Sequence, residues 1–148
     1  MYTATLPISL MLAGALMLVN IWLSFRVGQV RGQAKISIGD GGHEPLIRRM
    51  RAHANFAENA PLTVLLVALI EFAASPSVWL WGMAGLFLLA RIAHGLGMDG
   101  RMPLRLFGAG GTMIVQLLLA LWAISIVATG AYSPAIRDVD PVEGRGRG

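Results

Sequence analysis

Four residues within the run RRMRAHANFAENAP, at positions 48 to 61, have types and spacing suited to chemistry. Arg48, Arg51, Asn55 and Glu58 recur at steps of three, four and three. On a helix they project from one face, with ~15 Å of rise between the first and the last. Cations, an amide and a carboxylate thus form one stripe. No turn signal separates it from the apolar run LTVLLVALIEFAA, so charge is carried into a membrane helix. An ionisable group at membrane depth costs ~3 kcal/mol by insertion scales, so such groups usually face a bundle interior and mark a functional site. The other reading is a structural Arg–Glu pair that fixes helix register.

A second polar set is expected at the same level: Arg91 and His94, one turn apart, then Arg101 and Arg105 flanking Pro103. Pro103 suits the first position of a helix, which places Arg105 in its first turn, where free N–H groups and the helix dipole add to the guanidinium's positive field. An anion is expected nearby. The combined set suits a small zwitterionic ligand: Arg forks for carboxylates, Glu58 for an ammonium, Asn55 for a peptide group. Glutathione carries all of these. Its thiol, if it starts near 8.5 like free cysteine, needs a drop of two units for near-complete ionisation at neutral pH, or ~2.7 kcal/mol. A desolvated Arg at contact can supply that. The competing reading of Arg105 is an interfacial, topogenic charge, and that of His94 is a packed helix histidine. His43, His53 and His94 have no metal-ligand spacing, so no metal is expected. The chain has no cysteine, so any sulfur chemistry must come from a ligand.

These residues need a scaffold that crosses a bilayer. Of 148 residues, 55% are hydrophobic and 14% charged, and the mean hydropathy is +0.64, too apolar for an ordinary soluble domain. The expected fold is all-α and integral to the membrane: a four-transmembrane-helix bundle over residues 1–130, with spans near 6–27, 47–74, 78–97 and 103–129. The polar tail, 131–148, is rich in Gly, Pro and charge, and composition alone makes it mobile unless it packs along a neighbour or a partner. Because the first apolar stretch has no basic residue before it and is a full span long, it reads as a retained helix. Lys and Arg cluster around loops 28–46 and 98–102 and are absent from Ser75 to Ser77. Those two loops are therefore expected in the cytoplasm, with both termini on the other side. The net charge of +4 is modest and lacks interleaved aromatic residues, which argues against nucleic-acid binding. Trp22, Trp79 and Trp81 read as interfacial anchors. Gly82, Gly85 and the run Gly108 to Gly111 read as close helix contacts, and Asn20 as a cross-helix hydrogen-bonding group. Glu71 is expected to be wetted at the outer end of the second span.

The run Arg51-Ala52-His53-x-Asn55-x-x-Glu58-x-x-Pro61, after a basic loop in a four-span chain, resembles the MAPEG family, the membrane-associated proteins in eicosanoid and glutathione metabolism. Arg91-Ile92-Ala93-His94 with Arg101-Met102-Pro103-Leu104-Arg105 resembles the third-to-fourth helix segment of its prostaglandin E synthase branch. GDGGHEP followed by RAHANFAENAP looks most like bacterial members. The resemblance implies a homotrimer, with glutathione bound between subunits near the cytoplasmic face of a bacterial inner membrane. It implies that Arg51, Asn55, Glu58 and His94 bind glutathione, that Arg31 reaches in from the neighbouring subunit, and that Arg105 stabilises the thiolate as the catalytic residue. Asn59 and Met98 stand where well-studied eicosanoid enzymes carry tyrosines, and Leu106 where the prostaglandin branch has serine, which argues against eicosanoid synthesis.

The expected function is a membrane-bound, glutathione-dependent transferase or peroxidase whose thiolate attacks a lipophilic electrophile or hydroperoxide entering from the lipid. The alternative is a non-enzymatic membrane subunit of the same fold that packs in a larger complex.

Overall fold

The computed structural model describes residues 2–131 and 136–138, the strand residues at either end by backbone alone. Four helices make up the body: α1 (Pro7–Ala34), α2 (Glu44–Ala74), α3 (Val78–Gly97) and α4 (Met102–Thr129). All four are long and apolar enough to cross a membrane. Their starts carry recognisable signals. Proline occupies one of the first two positions of α1, α2 and α4, where a missing N–H is harmless. Ser77 caps α3, its side chain accepting from Leu80 N at 3.2 Å. Gly130 ends α4 in the left-handed conformation at φ 65°.

The helices overrun the hydrophobic spans at the basic end. α1 continues to Ala34 and α2 begins at Glu44, so the loop expected at 28–46 shrinks to 35–43. Hydropathy marks where the chain leaves hydrocarbon, whereas the helix ends where its backbone bonding ends. Arg31 lies in the last turn of α1, where a cation complements the helix dipole. The chain ends are joined as well. Tyr2–Ala4 (β1) pairs antiparallel with Ile136–Asp138 (β2), which ties part of the expected tail to the N-terminal segment. The rest of the tail reading, at 132–135 and 139–148, lies outside the described residues.

Leu12, Leu16, Val19 and Leu23 of α1, Phe56, Val67 and Ile70 of α2, Leu80 and Phe87 of α3, and Val115 and Leu119 of α4 form one buried core. Leu10, Leu18, Leu69, Leu117 and Val127 stay exposed, as a lipid-facing surface requires. Lipid is as apolar as leucine, so close packing and interhelical hydrogen bonds must hold the helices together. α3 and α4 meet through glycine. A Cβ on Gly108 would lie 2.4 Å from His94 N, and one on Gly97 would lie 2.2 Å from Arg105 N. Gly82 and Gly85, also expected as contact points, have nothing within 4 Å of such a Cβ and remain open. Asn20 forms its cross-helix bond, with His53 Nε2 at 2.9 Å from its Oδ1.

Glu71 departs from the expectation of a wetted carboxylate, being 0% exposed. It accepts from Ile8 N and Ser9 N at 2.8 Å each and from Ser9 Oγ at 2.5 Å. The first N–H groups of a helix have no intrahelical acceptor, and away from water a carboxylate on the adjacent helix supplies one. At the opposite end Asp99, in the α3–α4 turn, pairs with buried Arg26 of α1 and lies 3.4 Å from Arg49 Nε of α2. Arg26 also donates to Gly95 O at 2.8 Å and stacks over Trp22 at 4.7 Å, so Trp22 supports a cation, a role beyond the anchoring expected of it.

Candidate functional site

Arg48 and Arg51 of α2, with Arg105 of α4, border one cavity of about 430 Å³. Glu44, Met98, Gly100 and Met102 complete much of its wall. The start of α4 sets Arg105 in its first turn, as Pro103 predicts, and the Gly97 contact brings that turn against the end of α3. Arg48 is paired with Glu44 at 2.8 Å. Among the described residues Arg51 and Arg105 make no ion pair within 4 Å and are exposed. The cavity is therefore a cationic bowl with more guanidinium than carboxylate.

The remaining expected site residues separate into three groups. Asn55 is turned into the bundle, where its Oδ1 accepts from Arg91 Nη1 at 2.8 Å. His94 is buried with its backbone against Gly108. Neither lines the cavity. Glu58 is exposed and borders a different depression, of about 270 Å³, between α2 and α4. Arg31 closes its own loop, donating to Gly39 O at 2.7 Å, with Met50 Sδ 3.4 Å from its other terminal nitrogen. A single chain thus brings together Arg51 and Arg105 but leaves Glu58 and Arg31 on other surfaces. The Arg–Glu register pair considered for the stripe is not formed, since Glu58 has no cation within 4 Å among the described residues.

Arg91 emerges as a residue whose role its spacing did not reveal. It is 2% exposed, ties Asn55 of α2 to Gly108 O of α4 through a second bond of 3.0 Å, and packs 5.8 Å from the Phe87 ring. Its Nε has no partner, and no carboxylate lies within 4 Å among the described residues. The helical period 91, 94 placed it beside His94, but only the packing shows that it faces inward. A further concavity, of about 600 Å³, is an apolar groove between α1 and α2 with Asn20 as its polar liner.

Known proteins resemble this chain in sequence. The "Inner membrane protein YecN" of Escherichia coli strain K12 is 32% identical over 100 residues, covering 66% of this chain and 76% of that protein. Its counterpart in Escherichia coli O6:H1 strain CFT073 matches to the same extent. The aligned region is long enough to include most of a four-helix body. Over residues 9–125, which run from the first turn of α1 to the last turns of α4, the sequence matches the MAPEG family, and the chain belongs to it.

Proposed function

We propose that the protein is a membrane-bound, glutathione-dependent transferase or peroxidase of the bacterial inner membrane. The observation that carries this reading is the bowl in which Arg51 and Arg105 stand without ion-pair partners within 4 Å among the described residues. Its donor set fits glutathione: guanidinium forks suit carboxylates, and the excess positive field suits a thiolate. Arg51 holds a carboxylate, Glu58 takes the ammonium, and Asn55, fixed by Arg91, acts through its amide. Bound glutathione supplies the thiolate that attacks a lipophilic electrophile or hydroperoxide. Arg105 stabilises that charge; two units of thiol pKa correspond to ~2.7 kcal/mol. The apolar groove between α1 and α2 offers lipid-side space for the second substrate.

The wall is one-sided, with Glu58 exposed and Arg31 on a separate edge. Residues so dispersed serve one ligand when copies of the chain bring different surfaces together, and a homotrimer with glutathione between subunits is the assembly proposed. The basic ends of the helices, around 35–43 and 98–101, face the cytoplasm, and both chain ends lie on the other side. A non-enzymatic membrane subunit is the second reading, favoured by the use of Asn55 to lock Arg91 in place. Purified protein in lipid is expected to bind glutathione with an ultraviolet thiolate absorbance that Arg105→Ala removes. No binding in detergent or lipid, with an unchanged melting temperature, refutes the enzyme reading in favour of the subunit.

A further inference from the structure

Deeper in the bilayer, past Glu58, a polar cluster joins α2 to α4. Asn59 lies eight residues beyond Arg51, or ~12 Å along the helix, and Gln116 lies eleven beyond Arg105, or ~16 Å. Together with Thr63 they line the 270 Å³ depression, whose other walls are Glu58, Leu62, Leu66 and Leu119. Polar side chains at this depth are costly, and their hydrogen bonds show which atoms are already occupied.

The directions can be deduced from a single fixed acceptor. The backbone oxygen of Asn55 can only accept, so the side-chain atom of Asn59 that lies 2.7 Å from it must be the amide nitrogen. That leaves Asn59 Oδ1 as an acceptor, and the Gln116 atom 3.2 Å from it must donate. Thr63 gives its hydroxyl hydrogen to Asn59 O at 2.9 Å, so it accepts the second Gln116 N–H at 3.0 Å. Both N–H groups of Gln116 are consumed in joining the helices. Its Oε1 has no partner among the described residues, and Asn59 keeps a second N–H with none.

Helix adhesion accounts for the bonds that are made and not for the carbonyl left over. A carbonyl facing hydrocarbon has no water to satisfy it. One neutral acceptor and one neutral donor, beside leucine walls and the exposed Glu58 carboxylate, are completed together by a group that both gives and takes a hydrogen bond on an alkyl chain. An ammonium offers no acceptor, and a carboxylate offers no donor. We propose that this depression binds the hydroxyl group of a membrane-dissolved amphiphile, with Gln116 Oε1 accepting from its O–H and Asn59 Nδ2 donating to its oxygen. The hydroxyl's partners, Gln116 and Asn59, are not groups assigned to glutathione, although Glu58, which is, borders the same depression. Assigning the amphiphile as second substrate rests on the reading given above, and its hydroxyl would then lie some 10–15 Å from the reacting atom.

The test uses the full chain in lipid nanodiscs and two photoreactive fatty acids, one with a mid-chain hydroxyl and a twin without it. The hydroxyl probe is expected to label Leu62, Leu66 and Leu119 about fivefold to tenfold more strongly than its twin, the worth of one hydrogen bond. Gln116→Met takes away the acceptor and leaves Asn59 Nδ2, and should reduce that preference at least twofold while leaving labelling by the twin unchanged. If Gln116→Met does not fold, competition on the wild-type chain decides: unlabelled hydroxy acid should displace the probe and the deoxy acid should not. Equal labelling by the two probes, or a preference undiminished in Gln116→Met, overturns the proposal. Labelling that appears only after dissociation to single chains also overturns it, because a second copy would then cover the depression. Glutathione binding in the same samples separates the two readings. Preference without glutathione binding sinks only the thiol reading, and glutathione binding with equal labelling sinks only this one.

Discussion

Gly97→Ala places one methyl group where the structure has room for none. The new Cβ would lie 2.2 Å from Arg105 N, 2.6 Å from Arg105 Cα and 2.8 Å from Leu104 C. All three are backbone atoms, so no rotamer change relieves the clash. Carbon contacts are comfortable near 3.5 Å, so the start of α4 must retreat from α3 by ~1.3 Å. Overpacking of this kind costs ~1–3 kcal/mol, and alanine's better helix propensity returns up to ~1 kcal/mol. Global stability should therefore fall by ~0–3 kcal/mol. The position of Arg105 should suffer more, since a displacement near 1 Å can cost ~100-fold where geometry controls chemistry.

The expected result is a melting temperature lowered by a few degrees together with at least a tenfold loss of glutathione thiolate signal or glutathione-dependent turnover. Gly28→Ala is the matched control, because nothing lies within 4 Å of its added Cβ. It should melt at or slightly above the wild-type temperature and keep full signal. Wild-type thiolate signal and melting in Gly97→Ala would refute the claim that this glycine sets the position of Arg105. Equal losses in both variants would point to a general effect of alanine on the bundle.

Two further substitutions test the supports at either end. Glu71→Gln leaves one neutral acceptor where a buried carboxylate served two N–H groups and a hydroxyl, and should cost ~2–4 kcal/mol, read by thermal melting in detergent; a melting temperature unchanged from wild type would contradict the capping role. Asp99→Asn removes the counter-charge shared by Arg26 and Arg49, leaves Arg26 buried without a carboxylate, and should cost ~3 kcal/mol. Hydrogen exchange should accelerate at residues 98–101 more than in the core, and uniform exchange along the chain would count against the latch.

What the sequence made legible was decided by local rules. The helix start signalled by Pro103 is a short-range feature, and the four apolar runs are long enough to count. The polar stripe from Arg48 to Glu58 was legible because helical period is local too. Side-chain destinations across helices were not. Glu71 lies in an apolar run near a helix end, and nothing nearby in sequence says that its partners are Ile8 and Ser9, more than sixty positions away. Gly82 and Gly85 look as suitable for close packing as Gly97 and Gly108, yet only the latter pair meet backbone. Small residues permit an approach without specifying it. Asn59 and Gln116 are separated by 57 positions, so their shared network had no periodic signature.

Arg91 shows why the bowl is better understood as part of a larger positive field than as two exposed arginines. Its guanidinium joins three helices in one step, since Asn55 lies on α2 and Gly108 on α4. Removing a partner from such a buried cation is costly, and keeping it without a carboxylate is costly as well. Gly108 follows Arg105 by three residues, a rise of ~4.5 Å, and Asn55 follows Arg51 by four, a rise of ~6 Å. The cation thus sits about one turn below the floor set by Arg51 and Arg105. At ~10 Å and an effective dielectric near 20, one unit of positive charge lowers the energy of an anion in the bowl by ~1.7 kcal/mol. That is more than half of the ~2.7 kcal/mol that two units of thiol ionisation require. Among the described residues no carboxylate pairs with Arg91 within 4 Å, so no direct ion pair neutralises it. An anion held by Arg51 and Arg105 would lie within that field.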